Sequence, residues 1–455
     1  MSSLDRVLEA VRREITPDDD ERERLEAVAA ELERETEAAL EELPVDADIL
    51  RVGSTARGTW LSGDRDIDLF VRFPTDLLRS DLEAYGLEVG HAVLPGGREE
   101  YAEHPYVKGE YDGFDVDLVP CYDVEEASNI ESAVDRTPFH NAYLTERLTD
   151  ELAADVRLFK AFLKGIGAYG SNLRTRGFSG YLTELLICEY DGFQSVLEAA
   201  ADWHPPVVLD PESHGEETFD DPLVVIDPTD PERNVAAVVA PENVARLQHY
   251  ARSFLEDPRV ELFFPDDPEP LDPAALETQL DRRETTPIAL VFDAPDVVDD
   301  QLYPQLRRSL EGIVGELRRR GFVICRSAAF ADDRAVLLIE CAVDRLPAIE
   351  RHEGPPVHVR PHAEGFFEAY ADEEDCYGPF LDGDRYVVER PRELTTAVGV
   401  LESEVLFEVG LGSHVRSSIE SAYSILVDEE LTELCTEFGA TLSRYFAPEP
   451  RFSRL

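Results

Sequence analysis

Apolar residues set a pattern from the first positions. Leu4, Val7, Leu8 and Val11 recur three and four apart, and Leu25, Val28 and Leu32 do so again. Each set falls on one face of an α-helix. "TPDDDE", residues 16–21, stands between them and predicts a new helix start. Across residues 48–123 the period shortens, and "DILRVGS", "DIDLFVRFP" and "FDVDLVPCYDV" read as short strands joined by loops. Residues 145–202 return to helix, broken at "GIGAYGSN". Within them Leu152, Val156, Phe159 and Leu163 form an apolar stripe, with Lys160 at its edge. A Pro- and Asp-rich segment at 204–233 precedes another helix at "VARLQHYARSFLED".

"DPEPLDP", residues 267–273, reads as a linker. Beyond it "TPIALVFDAP" predicts a strand and 301–320 a helix. "GFVICRSAAF" and "RAVLLIECAV" predict two more strands. This βαββ order suggests a small α+β sandwich. Residues 351–402 are richer in Gly, Pro and aromatics and read as an insertion, and a helix at 417–440 is expected to close the chain. No repeat or low-complexity tract interrupts the pattern.

The 455 residues are enough for about three domains. With 43% hydrophobic content a packed core is expected. No apolar h-region opens the chain, and no apolar run approaches the ~20 residues of a membrane span, so a soluble, cytoplasmic protein is expected. Six cysteines are scattered without a C-x-x-C pair, which suggests neither a zinc site nor a disulfide framework.

Charge changes the picture. The formal net charge is −54, and of 43 basic residues only Lys108, Lys160 and Lys164 are lysine. Arginine is less strongly hydrated than lysine. Acid gain with lysine loss reads as a surface built for molar salt, hence a halophilic, archaeal source. The acidic runs are then solvated faces. The surviving lysines at 160 and 164 become more informative for the same reason.

Two carboxylates stand inside the apolar segment "GSTARGTWLSGDRDIDLF", residues 53–70. In a strand, positions i and i+2 share a face. Asp66 and Asp68 therefore project together while Ile67 and Leu69 point inward. "GFDVDLVP" repeats the arrangement with Asp115 and Asp117, of which Asp115 reads as bland. Like charges held this close repel and raise each other's pKa unless a cation neutralises them. Carboxylates from neighbouring strands make a hard, oxygen-only site of the kind Mg²⁺ prefers. A Gly-Ser pair at fixed spacing upstream lets backbone N–H groups approach a phosphate.

These stretches resemble the nucleotidyltransferase superfamily that includes DNA polymerase beta and the poly(A) polymerases. "TPFHNAYL", "LKGIGAYGSNLRTRGFSGYLTELLI", "VIDPTDPERNVAAVV" and "YGPFLDGDRYVVERPRE" narrow the resemblance to the archaeal, class I CCA-adding enzymes, over nearly the whole chain. The resemblance implies a multidomain α+β fold. Residues 1–144 would be a mixed-sheet nucleotidyltransferase catalytic head and 145–270 a helical neck. Residues 271–350 with 403–455 would be a ferredoxin-like body, and 351–402 an inserted tail. Body and tail would bind tRNA.

It further implies template-independent addition of C, C and A to the tRNA 3′ end from CTP and ATP. Asp66, Asp68 and Asp117 would be the catalytic carboxylates and would hold two Mg²⁺ ions. Gly53, Ser54, Arg57, His140, Lys160 and Tyr169 would contact the nucleotide. Arg233 would help frame the incoming base, from a place between a Pro/Asp-rich loop and an apolar run read as a helix start. A homodimer is expected, with the tRNA acceptor stem and 3′ end as partner and no membrane. At molar salt the Debye length is about 3 Å, so tRNA recognition is expected to rest on shape, hydrogen bonds and local arginines such as Arg318, Arg319 and Arg320. Two rival readings are a poly(A) polymerase-like enzyme and a catalytically dead tRNA-binding scaffold.

Overall fold

The computed structural model describes residues 2–448 apart from Ala102, so the last positions of the expected body segment, 449–455, lie outside the described residues. The chain divides into two compact units, with the boundary between Asp266 and Asp267, at the start of the predicted linker.

The first unit opens with the helices Ser3–Ile15 and Asp19–Leu40, the second capped by Asp18 in a reciprocal bond with Glu21. Its sheet contains β1 (Asp48–Val52), β2 (Asp66–Phe73), β3 (Arg98–Tyr101), β4 (Pro105–Tyr111) and β5 (Phe114–Tyr122), in the spatial order β1-β2-β5-β4-β3. β2 and β5 are parallel and the other pairs antiparallel. Ile67, Leu69 and Val71 of β2 pack with Leu25, Val28 and Leu32 of the second helix, and Phe70 belongs to a separate cluster with Val52 and Val119. Alternation along the strand thus puts Asp66 and Asp68 on the face away from the helices.

A helix at Arg79–Val93 lies across this sheet, where only strands and loops were expected. Its glycines hide it from a propensity reading, since Gly weakens helices by about 1 kcal/mol. They are there for contact. A Cβ on Gly86 would stand 2.6 Å from Pro120, and one on Gly90 2.4 Å from Val107.

The helix Ser3–Ile15 shares a core with the helices Asp150–Gly165, Gly180–Tyr190, Phe193–Ala201 and Pro241–Glu256. Phe162, Phe193, Phe254 and Phe263 meet at its centre at ring separations of 5.5–6.0 Å, mostly edge to face. The Pro/Asp-rich segment is structured: β6 (Val207–Leu209), β7 (Leu223–Asp227) and β8 (Asp230–Asn234) form a small sheet. Arg233 lies on β8, and the apolar run after it forms turns before the next helix begins at Pro241, so the expected helix start is corrected.

The second unit carries β9 (Thr286–Asp293), β10 (Ile324–Ala331) and β11 (Arg334–Cys341), with the helix Asp299–Arg319 between the first two. An excursion follows, in which β12 (Ile349–Pro356), β13 (Tyr377–Asp382) and β14 (Arg385–Pro391) form their own sheet with the helix Arg360–Tyr370. The chain then returns through the helix Ser413–Ser421 to β15 (Ser424–Val427). The four-stranded sheet has the order β10-β11-β9-β15, all antiparallel, which is the ferredoxin-like arrangement. Both its faces are buried. Leu337 and Ile339 point to the helix Asp299–Arg319, and Val336 and Leu338 to the closing helix Cys435–Phe446. The single helix expected over 417–440 is therefore wrong. It is split by β15, whose Leu426 finds a place against Phe438 and Leu442 that local periodicity does not reveal. Arg319 and Arg320 both pair with the buried Glu316 of their own helix, so two of the three arginines proposed for RNA are already engaged.

Candidate active site

The parallel register of β2 and β5 sets Asp66 beside Asp115 and Asp68 beside Asp117. Four carboxylates thus share one face of two adjacent strands, Asp115 among them. They line a cavity of about 340 Å³ together with Gly53, Ser54, Arg57, Lys160, Tyr169, Tyr181 and Glu184. Burial, with the charges of Asp117 and Asp66, pushes the Asp68 carboxyl up to about 6. Asp66 is raised too, first by burial and then by Asp64 and Asp115. Lys108, directly across from Asp117 on β4, puts its Nζ 2.8 Å from Asp117 Oδ1. Burial pushes the Lys108 ammonium down, but this ion pair outweighs that cost and raises it above its usual range.

Gly53 follows β1 with φ of +79°. A Cβ there would stand 2.1 Å from Asp68 Oδ2, besides being strained at that φ. Gly53→Ala should therefore displace the Asp68 carboxylate and destabilise the fold by about 1–3 kcal/mol. Thermal melts of the two proteins check this, and a parent-like Tm would refute the contact.

The turn after Gly53–Ala56 and the helix Asp150–Gly165 supply further cations. Arg57 donates through Nη2 to Glu184 at 2.7 Å and through Nη1 to Asn141 at 2.7 Å. Glu184 is buried and also accepts from Thr59 Oγ1. Arg157, buried as well, donates to the Gly58 carbonyl. Lys160 is not a surface lysine with a solvated head. Its Nζ lies 2.9 Å from Asp64, and Lys164 reaches the other oxygen of the same carboxylate at 3.2 Å. Both ammonium groups stand 5.6 Å from the Tyr169 ring. Burial pushes Asp64 up, but the two lysines outweigh it and hold the carboxyl below its usual range. All three lysines of the chain therefore meet aspartates in this region.

His140 and Arg233 do not line the cavity. His140 stacks on Tyr181, which does, at 3.9 Å between ring centroids. His140 Nε2 and Arg233 Nη1 both reach Asp227 Oδ2, at 2.8 and 2.5 Å. Asp230, an alternative partner for Arg233, is paired with Arg136.

Three family models match successive parts of the chain. A nucleotidyltransferase domain covers 33–140, the second domain of tRNA nucleotidyltransferase covers 154–264, and the C-terminal domain of CCA-adding enzyme covers 283–428. A CCA-adding enzyme of Haloarcula marismortui is 60% identical over 98% of this chain and 99% of its own length. The chain belongs to the CCA-adding enzymes. Another CCA-adding enzyme, of Halorubrum lacusprofundi, is 59% identical over 99% of this chain and all of its own, and that of Methanosarcina mazei 41% over 93% and 94%. Among solved structures, Cid1 poly(U) polymerase with Mg and 3′-dATP aligns with 57% of this chain and 97% of its own, at TM-score 0.45 and 18% identity.

Sequence reasoning about this CCA-adding enzyme named Lys164 but left it out of the site, and it missed Glu184 on the cavity wall and Lys108, Asp64 and Asp227, which pair with residues assigned to the site. Lys108 and Lys164 had a signal in lysine scarcity. Glu184 and Asp227 had one in being charged residues within apolar runs, "TELLI" and "LVVID". Asp64 had none apart from its place in the Gly-Ser motif. Among the described residues, no helix is long and apolar enough to cross a membrane.

Proposed function

We propose that this chain completes the 3′ end of tRNA with C, C and A from CTP and ATP, without a template and with release of pyrophosphate, and that transfer takes place at the cavity beside β2 and β5. The carrying observation is that Asp66, Asp68 and Asp117 converge there, in a chain related over its whole length to CCA-adding enzymes. Body and tail segments would grip the acceptor stem, and the working form would be a cytoplasmic homodimer.

The donor set fits Mg²⁺. It consists of carboxylate oxygens only, the Asp68 carboxyl is raised to about 6 by burial and by the charges of Asp117 and Asp66, a crowding that a cation would relieve, and Gly53 clears the space around Asp68. Among the described residues no three acidic, histidine or cysteine side chains are yet drawn together as ligands of one ion. When bound by Asp66, Asp68 and Asp117, two Mg²⁺ ions would supply the charge that activates the 3′-hydroxyl and steadies the leaving pyrophosphate.

The remaining work belongs to the chain's own side chains. Gly53 and Ser54 offer close approach to the triphosphate. Arg57, braced by Glu184 and Asn141, keeps its charge at a fixed place. Lys160, with Tyr169 beneath it, is a point charge for polyphosphate oxygens, and Lys164 brings a second one to the same carboxylate. Asp64 holds both until a phosphate competes for them. His140 and Arg233 would address the base from behind Tyr181.

One reaction tests the proposal. tRNA lacking its terminal CCA is incubated with CTP, ATP and Mg²⁺ in molar KCl, and the products are sequenced. Molecules ending in a single CCA, with one pyrophosphate per residue added, are expected. A long homopolymer would favour the poly(A) polymerase-like reading, and no incorporation with or without Mg²⁺ the inactive scaffold.

A further inference from the structure

We infer that Asp227 is a positioning residue that couples His140 to Arg233, so that the two act on the incoming nucleotide as one unit. This rests on the proposed reading of His140 and Arg233 as nucleotide contacts. Asp227 closes β7 and has no exposed surface. Its Oδ2 receives His140 Nε2 at 2.8 Å and Arg233 Nη1 at 2.5 Å. Its Oδ1 receives the Thr229 backbone N–H at 2.9 Å, the Thr229 hydroxyl at 2.8 Å and the Tyr181 hydroxyl at 3.3 Å. The turn after β7 therefore clamps one oxygen and leaves the other to the His140 imidazole and the Arg233 guanidinium.

Two donors on one fixed oxygen share its charge, so the departure of one changes how tightly the other is held. If Arg233 swings toward a base, it leaves His140 as sole holder of Oδ2, and if His140 tilts, its stack on Tyr181 tilts with it. Tyr181 carries any such shift into the cavity wall. An exposed ion pair would carry little of this, because such pairs hold loosely and are screened by salt. A buried carboxylate held by hydrogen-bonded partners is different, since losing one partner leaves its charge less compensated in a poor solvent. The arrangement thus gives a physical reason why base selection at molar salt should involve this triad rather than Arg233 alone.

The test is a double-mutant cycle. kcat/KM is measured for CTP, ATP, UTP and GTP on tRNA ending at the discriminator base, at C and at CC. The proteins are the parent, His140→Ala, Arg233→Ala, the double variant and Asp227→Asn, all in molar KCl. Arg233→Ala is expected to lower discrimination against UTP and GTP about tenfold in the parent, but only two- to threefold when His140 is already alanine. Asp227→Asn should reproduce the loss of discrimination, raising KM for the correct nucleotide more than it lowers kcat. Single effects that simply multiply in the double variant would overturn the coupling while leaving both residues as contacts. Asp227→Asn with a lower Tm and parent-like discrimination would make Asp227 a fold staple and overturn it too. Unchanged discrimination in both single variants would remove the contact reading itself, and the coupling with it. If Asp227→Asn does not fold, the cycle between the two more exposed residues decides alone.

Discussion

Asp68→Asn should abolish incorporation of CTP and ATP alike, by about a thousandfold in kcat/KM, while tRNA binding survives. Loss of a single preorganised group that stabilises charge in a transition state costs roughly 10²–10³ in rate, and Asp68 is among the three carboxylates that would hold the charge-neutralising ions. Asp117→Asn should behave alike. The substitution also has a stability signature with a definite sign. Burial, with the charges of Asp117 and Asp66, raises the Asp68 carboxyl from 3.8 to about 6, so the folded state binds that proton more tightly than the unfolded chain does. The ionised carboxylate therefore costs stability above about pH 6, and the cost fades as pH falls from there toward 4. Asp68→Asn removes the cost. Its Tm without Mg²⁺ should match or exceed the parent's at pH 7.5, with the difference closing as pH falls from about 6 toward 4. Mg²⁺ should raise the parent's Tm more at pH 7.5 than at pH 5.5, because ligation needs the ionised form. Thermal melts in molar KCl, with and without Mg²⁺, give both comparisons. Activity within a few-fold of the parent would sink the carboxylate assignment, and a large fall in the variant's Tm at pH 7.5 would sink the electrostatic account.

Dialysis into dilute buffer should unfold the protein, and molar KCl should restore it. A formal net charge of −54 on 455 residues repels itself when unscreened. The fold does contain many ion pairs. Most, such as Arg34–Glu31 and Arg360–Glu364, are exposed, and exposed pairs contribute about 0–1 kcal/mol each. They cannot offset an excess of carboxylates this large. At about 1 M salt the Debye length falls to about 3 Å, and only contact-range pairs still interact. The buried pairs, Arg57–Glu184 and Arg283–Glu340 among them, keep their strength there. Circular dichroism against KCl concentration should show helix content collapsing in dilute buffer and Tm rising steeply over the first molar. A Tm independent of salt would overturn the halophilic reading of the composition.

The sequence by itself determined which residues share a face. The two-residue period of β2 and β5 puts Asp66 with Asp68 and Asp115 with Asp117, because side chains of a strand alternate whatever it pairs with. It determined most helices of the first unit, the linker at Asp267, and the importance of lysine in a chain that retains only three. It also carried the family, since collinear motifs survive where propensity is ambiguous.

What it left open were partners. No local pattern says that β2 lies parallel to β5 in the register that brings Asp68 to Asp117. That register follows from tertiary packing of Ile67, Leu69, Val116 and Leu118 against the helices Asp19–Leu40 and Arg79–Val93. Asp115 looked bland for this reason, and the tertiary structure brought it to the cavity. The helix over Arg79–Val93 is held by close contacts at Gly86 and Gly90, which override weak propensity. β15 exists because β9 offers it an edge. Glu184 and Asp227 are decided the same way. A buried charge is tolerable only where the fold delivers its partners, and Arg57, His140 and Arg233 reach those two carboxylates from 127, 87 and 6 positions away.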